Sequence, residues 1–318
     1  MNSFWMPKKQ PLYAPMLSTF GGGSARGFNP GGGGGGMSFT SKSIFDGNYS
    51  SYIKLSGATA YRGMMFVYED YFDTGDDHLM VFKEQASTWF NSGEYRRRTA
   101  GTTLALQSTP TTFTGSNANI GGARDVAYYV DTNGNYNVYV SSYASPNGVL
   151  HYTLPGGLSD LRSDWSNATH VADFTPSSGS SWGVAVDFTR HYLYLGTHSN
   201  NLLWRWDIDP ADGSLDFNSR ASTQVNGANG QAAGMAVAYD PWADAIYTGT
   251  TYSQSPLEIV VLDAANWTQS PIGRITVSNL NSWVSSIGCI EVSEDTLYFQ
   301  GDENSASSVS KPITALSR

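Results

Sequence analysis

Short apolar runs with period-2 alternation recur along this chain in groups of four, and each group opens on small residues. Gly183-Val-Ala-Val-Asp-Phe188 leads into Tyr192–Gly196, Leu202–Asp207 and Ser214–Phe217, and Gly234-Met-Ala-Val-Ala-Tyr-Asp240 leads into Ala245–Gly249, Leu257–Leu262 and Gly273–Val277. Asp125–Asp131, Tyr136–Val140, Val149–Tyr152 and Thr169–Phe174 precede them. Gly288–Val292, Thr296–Phe299 and Val309–Ile313 follow, and Gly63–Tyr68 with Leu79–Phe82 begins a fainter earlier group. The starts at Gly63, Asp125, Gly183, Gly234 and Gly288 lie about 51 to 62 residues apart. Gly, Asn, Asp, Ser and Pro clusters between the runs mark hairpin turns, so each group is an antiparallel meander. A crowded axis selects small residues in the first strand, while the third strand carries bulk in Trp204 and Trp206. This pattern predicts an all-β fold, a β-propeller of about five blades, with six as the alternative count and a β-sandwich as the competing architecture. The last group is one strand short, and Ser43–Phe45 or Tyr52–Leu55 would complete it and close the ring. No amphipathic helix of ten residues or more is legible.

Composition bounds what such a fold can do. The 318 residues carry 18 Lys+Arg against 27 Asp+Glu, a formal charge of −9, which argues against a nucleic-acid groove. Aromatic residues make up 13% and charged ones only 14%, so a sizeable core can be buried. The single cysteine, Cys289, excludes an internal disulfide framework and any multi-cysteine metal site. No run approaches the roughly 18 apolar residues of a membrane helix. Lys8 and Lys9 are followed by Pro11 and Pro15 and not by an apolar core, so neither a signal peptide nor an anchor is expected. The sequons at Asn48, Asn167 and Asn266 then read as chance in a chain made in the cytoplasm.

Residues 1–37 differ from the body, residues 38–318. Phe4, Trp5, Met6, Leu12, Tyr13, Met16, Leu17 and Phe20 show neither helical nor strand periodicity and are interrupted by Pro7, Pro11 and Pro15. Gly21–Gly23, Phe28 and the run Gly31–Gly36 follow. Glycine populates most of backbone space, so this stretch reads as an extended arm with a spacer, with a frayed terminus as the competing reading. The apolar side chains, Phe28 included, are candidates for docking on a neighbouring protein, ordering only when bound.

Few residues carry chemistry. Gly179-Ser-Ser-Trp-Gly183 fits G-x-S-x-G with Ser181 at the nucleophile position, but it precedes a strand and not the helix that a nucleophile elbow needs. His78, His151, His170, His191 and His198 lack metal-ligand spacing. Asp207, Asp209 and Asp212 before Gly213 read as a turn, Asp73, Asp76 and Asp77 as an acidic loop, and Arg96–Arg98 as a solvated basic run. Cys289 reads as a small core residue. Arg62, Arg124, Asp125, Trp182 and Trp283 stand just before inner strands, where a propeller would ring one mouth of its channel with them. Stacking on a sugar or gripping a peptide is chemistry they suit, and blade-to-blade packing accounts for the tryptophans equally well. No catalytic residue, metal ligand or cofactor is expected.

Two resemblances add to this reading. Tyr192-Leu-Tyr-Leu-Gly-Thr197 and Trp206-Asp-Ile-Asp-Pro-Ala-Asp-Gly-Ser-Leu215 resemble the blade rhythm of lactonase and NHL-type propellers, the 6-phosphogluconolactonase family among them, although that family has seven blades. Pro15–Phe28 with its polyglycine resembles the opening of tail- and fibre-associated virion proteins of marine tailed bacteriophages. The second resemblance implies a virion structural protein assembled in the host cytoplasm, fixed by its arm to tail, fibre or adaptor proteins. Several copies in a symmetric assembly would then present the propeller outward, to other proteins or to a host-surface glycan. It implies no enzyme, no nucleic-acid partner and no membrane insertion. The alternatives are a lactonase-like propeller enzyme and a stand-alone carbohydrate-binding module.

Overall fold

Valine, isoleucine, tyrosine and tryptophan runs bounded by Gly, Asn and Asp favour a pleated backbone, and the described residues form strands and turns with no α-helix. The computed structural model describes residues 26–28, 37–39, 41–49, 53–55, 63–67, 78–85, 88–100, 103–108, 122–143, 147–157, 165, 167–176, 179–198, 200–228, 232–250, 257–277, 286–302 and 313–318. In chain order, β1 (Arg26–Phe28) pairs with β2 (Met37–Phe39), so the boundary drawn at residue 37 falls inside a two-stranded ribbon. Next come β3 (Gly47–Tyr49) and β4 (Ile53–Leu55). The first blade is β5 (Gly63–Val67), β6 (His78–Gln85), β7 (Thr88–Ala100) and β8 (Thr103–Ser108). The second is β9 (Ala123–Val130), β10 (Tyr136–Ser142), β11 (Gly148–Leu154) and β12 (Thr169–Phe174). The third is β13 (Ser181–Asp187), β14 (Tyr192–Thr197), β15 (Leu202–Ile208) and β16 (Leu215–Asn226). The fourth is β17 (Ala232–Asp240), β18 (Ala245–Thr250), β19 (Glu258–Asp263) and β20 (Gly273–Val277). The fifth holds β21 (Ser286–Val292), β22 (Thr296–Asp302) and β23 (Ile313–Ser317).

Each blade is an antiparallel meander. The first strands, β5, β9, β13, β17 and β21, adjoin one another in turn, and β21 adjoins β5. This is a five-bladed propeller. The inner strands are buried on both faces, so their side chains alternate between two neighbouring blades instead of between core and water. Val126, Tyr128 and Val130 join Met65, Met80 and Phe82 of the first blade, whereas Ala127 and Tyr129 pack toward Leu193, Trp204 and Trp206 of the third. Val237 and Tyr239 face the third blade, and Ala236 and Ala238 face the fifth. Trp206 is fully buried between blades. Removing about 200 Å² of indole from water contributes about 5 kcal/mol gross, before ordering entropy is subtracted.

The expected crowding at the axis is present. A Cβ on Gly183 would lie 2.5 Å from the Val237 nitrogen, and one on Gly63 would lie 2.9 Å from the Arg124 carbonyl oxygen. Neighbouring inner strands approach closely only because those side chains are absent.

Both N-terminal candidates for ring closure are used, in different ways. β4, within Tyr52–Leu55, pairs antiparallel with β23 and completes the fifth blade. Ser43–Phe45 forms no strand; instead Phe45 is buried between blades four and five, and its N–H donates to the Tyr247 hydroxyl at 2.9 Å. β3 then adds to β20 as a parallel fifth strand of blade four. The last described strand is Ile313–Ser317, and Val309–Pro312 of the expected run lie outside the described residues.

One turn device repeats at the far ends of the inner strands. Asp131 Oδ1 accepts from the Asn133 and Asn135 N–H groups, Asp187 Oδ1 from those of Thr189 and Arg190, and Asp240 Oδ1 from those of Trp242 and Ala243. The second carboxylate oxygens recruit donors. Arg190 Nη1 donates to Asp187 Oδ2 at 2.8 Å and Arg318 Nη2 to Asp240 Oδ2 at 2.7 Å.

Candidate functional site at the channel mouth

Arg124 and Asp125 open β9, and Trp182 opens β13. All three lie inside their strands and not before them, because the turns end earlier, at the positive-φ residues Gly122 and Gly179. Alternation sends the adjacent side chains Arg124 and Asp125 to opposite faces.

Asp125 faces inward and is fully enclosed. Its Oδ1 accepts from the Met64 N–H at 3.1 Å and its Oδ2 from the Val184 N–H at 3.1 Å, so one carboxylate joins three inner strands. Its own N–H donates to Ser141 Oγ at 2.9 Å, and Ser141 Oγ–H donates to the Trp182 carbonyl. Burial pushes the Asp125 carboxyl well above the usual range, with Glu291 adding repulsion and the backbone donors opposing. This is the environment of a structural fastening.

Arg124 faces the mouth. Its guanidinium lies 4.3 Å from the Trp182 ring centre and 4.8 Å from that of Tyr143. Trp182 and Tyr143 meet edge to face at 5.7 Å, and the His198 ring packs against Trp182 at 5.3 Å. Trp182 Nε1 donates to the Gly288 carbonyl at 3.0 Å, which reaches from the third blade to the fifth. Arg124 and Trp182 are buried, while Tyr143 is 42% exposed and forms the face that solvent meets. Burial, with Arg124 next, lowers the His198 pKa, so its imidazole is neutral near pH 7. The structure therefore brings Arg124, Asp125 and Trp182 together. Arg62 and Trp283 lie outside the described residues, as do Phe4, Trp5, Met6, Leu12, Tyr13, Met16, Leu17, Phe20, Asp73, Asp76 and Asp77. Phe28 is described only through the backbone of β1, and Arg96–Arg98 only through that of β7.

The other singled-out residues take architectural places. Ser181 is buried at the head of a strand, its N–H donating to Asn147 Oδ1 at 2.8 Å. Gly213 has φ +74° in the Asp209–Gly213 turn, which hooks blade two: Tyr139 Oη donates to the Gly213 carbonyl at 2.5 Å and Asn133 Nδ2 to the Ala211 carbonyl at 2.7 Å. His151 is buried against Tyr139 with Nε2 2.8 Å from Asn137 Oδ1, and His191 meets the Tyr129 hydroxyl at 2.8 Å. Cys289 is buried in β21. Among the described residues no three of His, Cys, Asp and Glu stand together as a metal site, and no helix is long and apolar enough to cross a membrane.

Sequence reasoning missed Tyr143 and His198 at the mouth, since both follow strands and carry no motif. It also missed Glu291, which faces an axial cavity toward the other ends of the inner strands, together with Tyr128, Phe188 and Tyr239.

No family model matches the chain, and no curated protein matches it in sequence. Among solved structures, the chain is similar to a gluconolactonase from Xanthomonas campestris, with 10% identity, 76% of this chain and 69% of that one covered, and a TM-score of 0.40. It is also similar to a luciferin-regenerating enzyme, with 11% identity, 78% and 75% covered, and a TM-score of 0.42. The five-bladed ring stands on the strand pairing described above.

Proposed function

We propose that the chain is a non-catalytic binding module, a propeller that receives a ligand at the Arg124–Trp182–Tyr143 end of its channel. The observation that carries this reading is the stack itself. A guanidinium laid over two rings, with Tyr143 exposed beside it, offers a flat apolar face next to a fixed positive charge. That combination suits a sugar or peptide bearing an anionic group. Residues 41–49 and 53–55 supply a clasp on blades four and five, and the segment proposed for attachment precedes them in the chain. The resemblance of Pro15–Phe28 to tail- and fibre-associated virion proteins makes a virion the assembly proposed. Symmetric copies there would add avidity to weak single contacts. A glycan array probed with the full chain should show binding to anionic glycans that is lost in Tyr143→Ala; a flat array would confine the protein to scaffolding.

A lactonase-like enzyme is the second reading, and the placement of Glu291 inside the channel favours it. Glu291 is partly buried, with Oε2 accepting the Val292 N–H at 3.0 Å, and a carboxylate so placed is the kind of group that takes a proton or holds a cation. Lactone turnover by the full chain, abolished in Glu291→Gln, would establish this reading, and absence of turnover over a lactone panel would remove it.

A further inference from the structure

The clasp, residues 41–49 and 53–55, stands near the start of the chain. Yet the hydrogen bonds and strand pairings described for it beyond the segment itself all lie in blades four and five. The Lys42 N–H donates to the Trp242 carbonyl at 3.0 Å, and Lys42 Nζ lies 2.7 Å from Asp295 Oδ1 and 2.9 Å from Glu294 Oε1. Asp46 Oδ1 accepts the Arg274 N–H at 2.8 Å. Between these polar contacts Phe45 fills an apolar socket with Tyr247 and Ile275 of blade four and Ile287 and Phe299 of blade five. We infer that this surface is also an interface between copies of the chain: the clasp of one copy seats on the ring of a second, whose own clasp is taken in return.

Three observations carry this. First, the surface is built to receive an extended segment. β20 and β23 each accept one further strand at the outside of their blades, and the Phe45 socket lies in the seam between those blades. Recognition at sheet edges draws affinity from main-chain hydrogen bonds and specificity from side-chain pockets. Second, the clasp is joined to its partners across most of the chain. Phe45 is 202 residues from Tyr247, Lys42 is 253 from Asp295, and Ser43 is 275 from Arg318. Contacts so remote bear a loop-closure cost that the hairpins of a blade do not. Until they form, the outer edges of β20 and β23 are open templates, and a second copy offers them an identical segment. Third, burial holds the clasp at one point. Of residues 41–49 only Phe45 is buried, while Ser41, Ser43, Asp46, Gly47 and Asn48 are exposed. Seated on either ring the clasp makes the same contacts. Exchange is then opposed chiefly by the high effective concentration of each chain's own segment, and it is favoured where copies are crowded. The interface does not depend on the ligand proposed for the channel mouth.

The register of β3 on β20 places Asn48 opposite Thr276, both outside the core, and paired strands are close enough for a disulfide. The full-length chain with both Asn48→Cys and Thr276→Cys should therefore cross-link within itself under mild oxidation, since Cys289 is buried and does not compete. The deciding sample mixes two full-length chains at high concentration, one carrying Asn48→Cys alone and the other Thr276→Cys alone. Exchange predicts a disulfide-linked heterodimer after overnight incubation. Its yield should exceed by about tenfold that from Asn48→Cys mixed with Asn218→Cys, Asn218 being exposed on the outer strand of blade three. Excess synthetic peptide of residues 41–55 should suppress it. If the double variant links within itself and the mixture links no better than the Asn218 control, the clasp stays in its own ring and the inference is overturned. A yield that the peptide leaves unchanged would overturn it too, because linking would then proceed by random collision. Failure of the double variant to link within itself would remove the pairing of clasp and blade four, and the interface with it. Neither substituted position is buried, so the outcome does not turn on folding of the variants.

Discussion

The carboxylate of Asp125, on the inner strand of the second blade, accepts the backbone N–H of Val184 on the inner strand of the third, and its other oxygen accepts Met64 of the first. An acidic side chain at a propeller mouth thus serves as a fastening across three blades. Replacing it by alanine leaves two buried N–H groups without acceptors, each costing about 1–3 kcal/mol. Asp125→Ala should therefore lose about 2–6 kcal/mol in urea unfolding, and Asp125→Asn, which keeps one acceptor, should lose less. An unchanged midpoint in Asp125→Ala would show that the blades hold without it.

Arg318 makes a second such fastening. Its guanidinium pairs with the fully buried Asp240, reaches the Ser43 carbonyl and lies 4.4 Å over Phe45. Removing one partner of a buried pair strands the other, at a cost of about 3–5 kcal/mol. Arg318→Met should destabilise the chain by that order, and adding Asp240→Asn should restore part of the loss. A double variant no better than the single one would show that the cost is lost packing on Phe45 and not stranded charge.

His151 gives the fold a pH dependence. Burial lowers its pKa to about 4 from an ordinary 6.5. The unfolded chain therefore binds the proton more readily between those values, and folding stability falls as pH drops from about 6.5 toward 4. The loss approaches about 3 kcal/mol, since each tenfold difference in proton affinity between the folded and unfolded chain is worth about 1.4 kcal/mol. Melting measured across this range should be less pH-sensitive in His151→Gln than in the wild type. His191 and His198, also lowered by burial, leave a residual slope in that variant.

We propose that residues 1–37, as an attachment segment, are separable from the ring. Deleting residues 1–37 keeps Phe45, β3 and β4 in the chain, so the melting temperature should move by no more than about 2 °C. The same truncation should abolish co-purification with the proposed assembly. A large drop in melting temperature would mean that the deleted stretch is part of the propeller.

Blade architecture was legible because each blade meets the same local demands. A strand at a crowded axis needs small residues, a middle strand between two blades needs bulk, and hairpins need Gly, Asn and Asp. Gly183, Trp206 and Gly213 each announce one of these needs and each stands where expected. The repeated aspartates at 131, 187 and 240 were visible too, but their task was not. A side chain that accepts two backbone N–H groups of its own turn looks, in sequence, like any polar residue after a strand.

What the chain's order of residues determined by itself was periodic: strand content, blade number, and the need for N-terminal residues to complete the last blade. Tertiary structure alone decided which of two N-terminal segments became that strand, that Phe45 would plug the seam beside it, and that Asp125 would turn away from Arg124 to bind its neighbours. It also placed Tyr143 on Arg124 and gathered Tyr128, Phe188, Tyr239 and Glu291 around one axis. Those meetings join residues far apart in the chain, through ring closure, and no local preference of a strand or turn carries information about them.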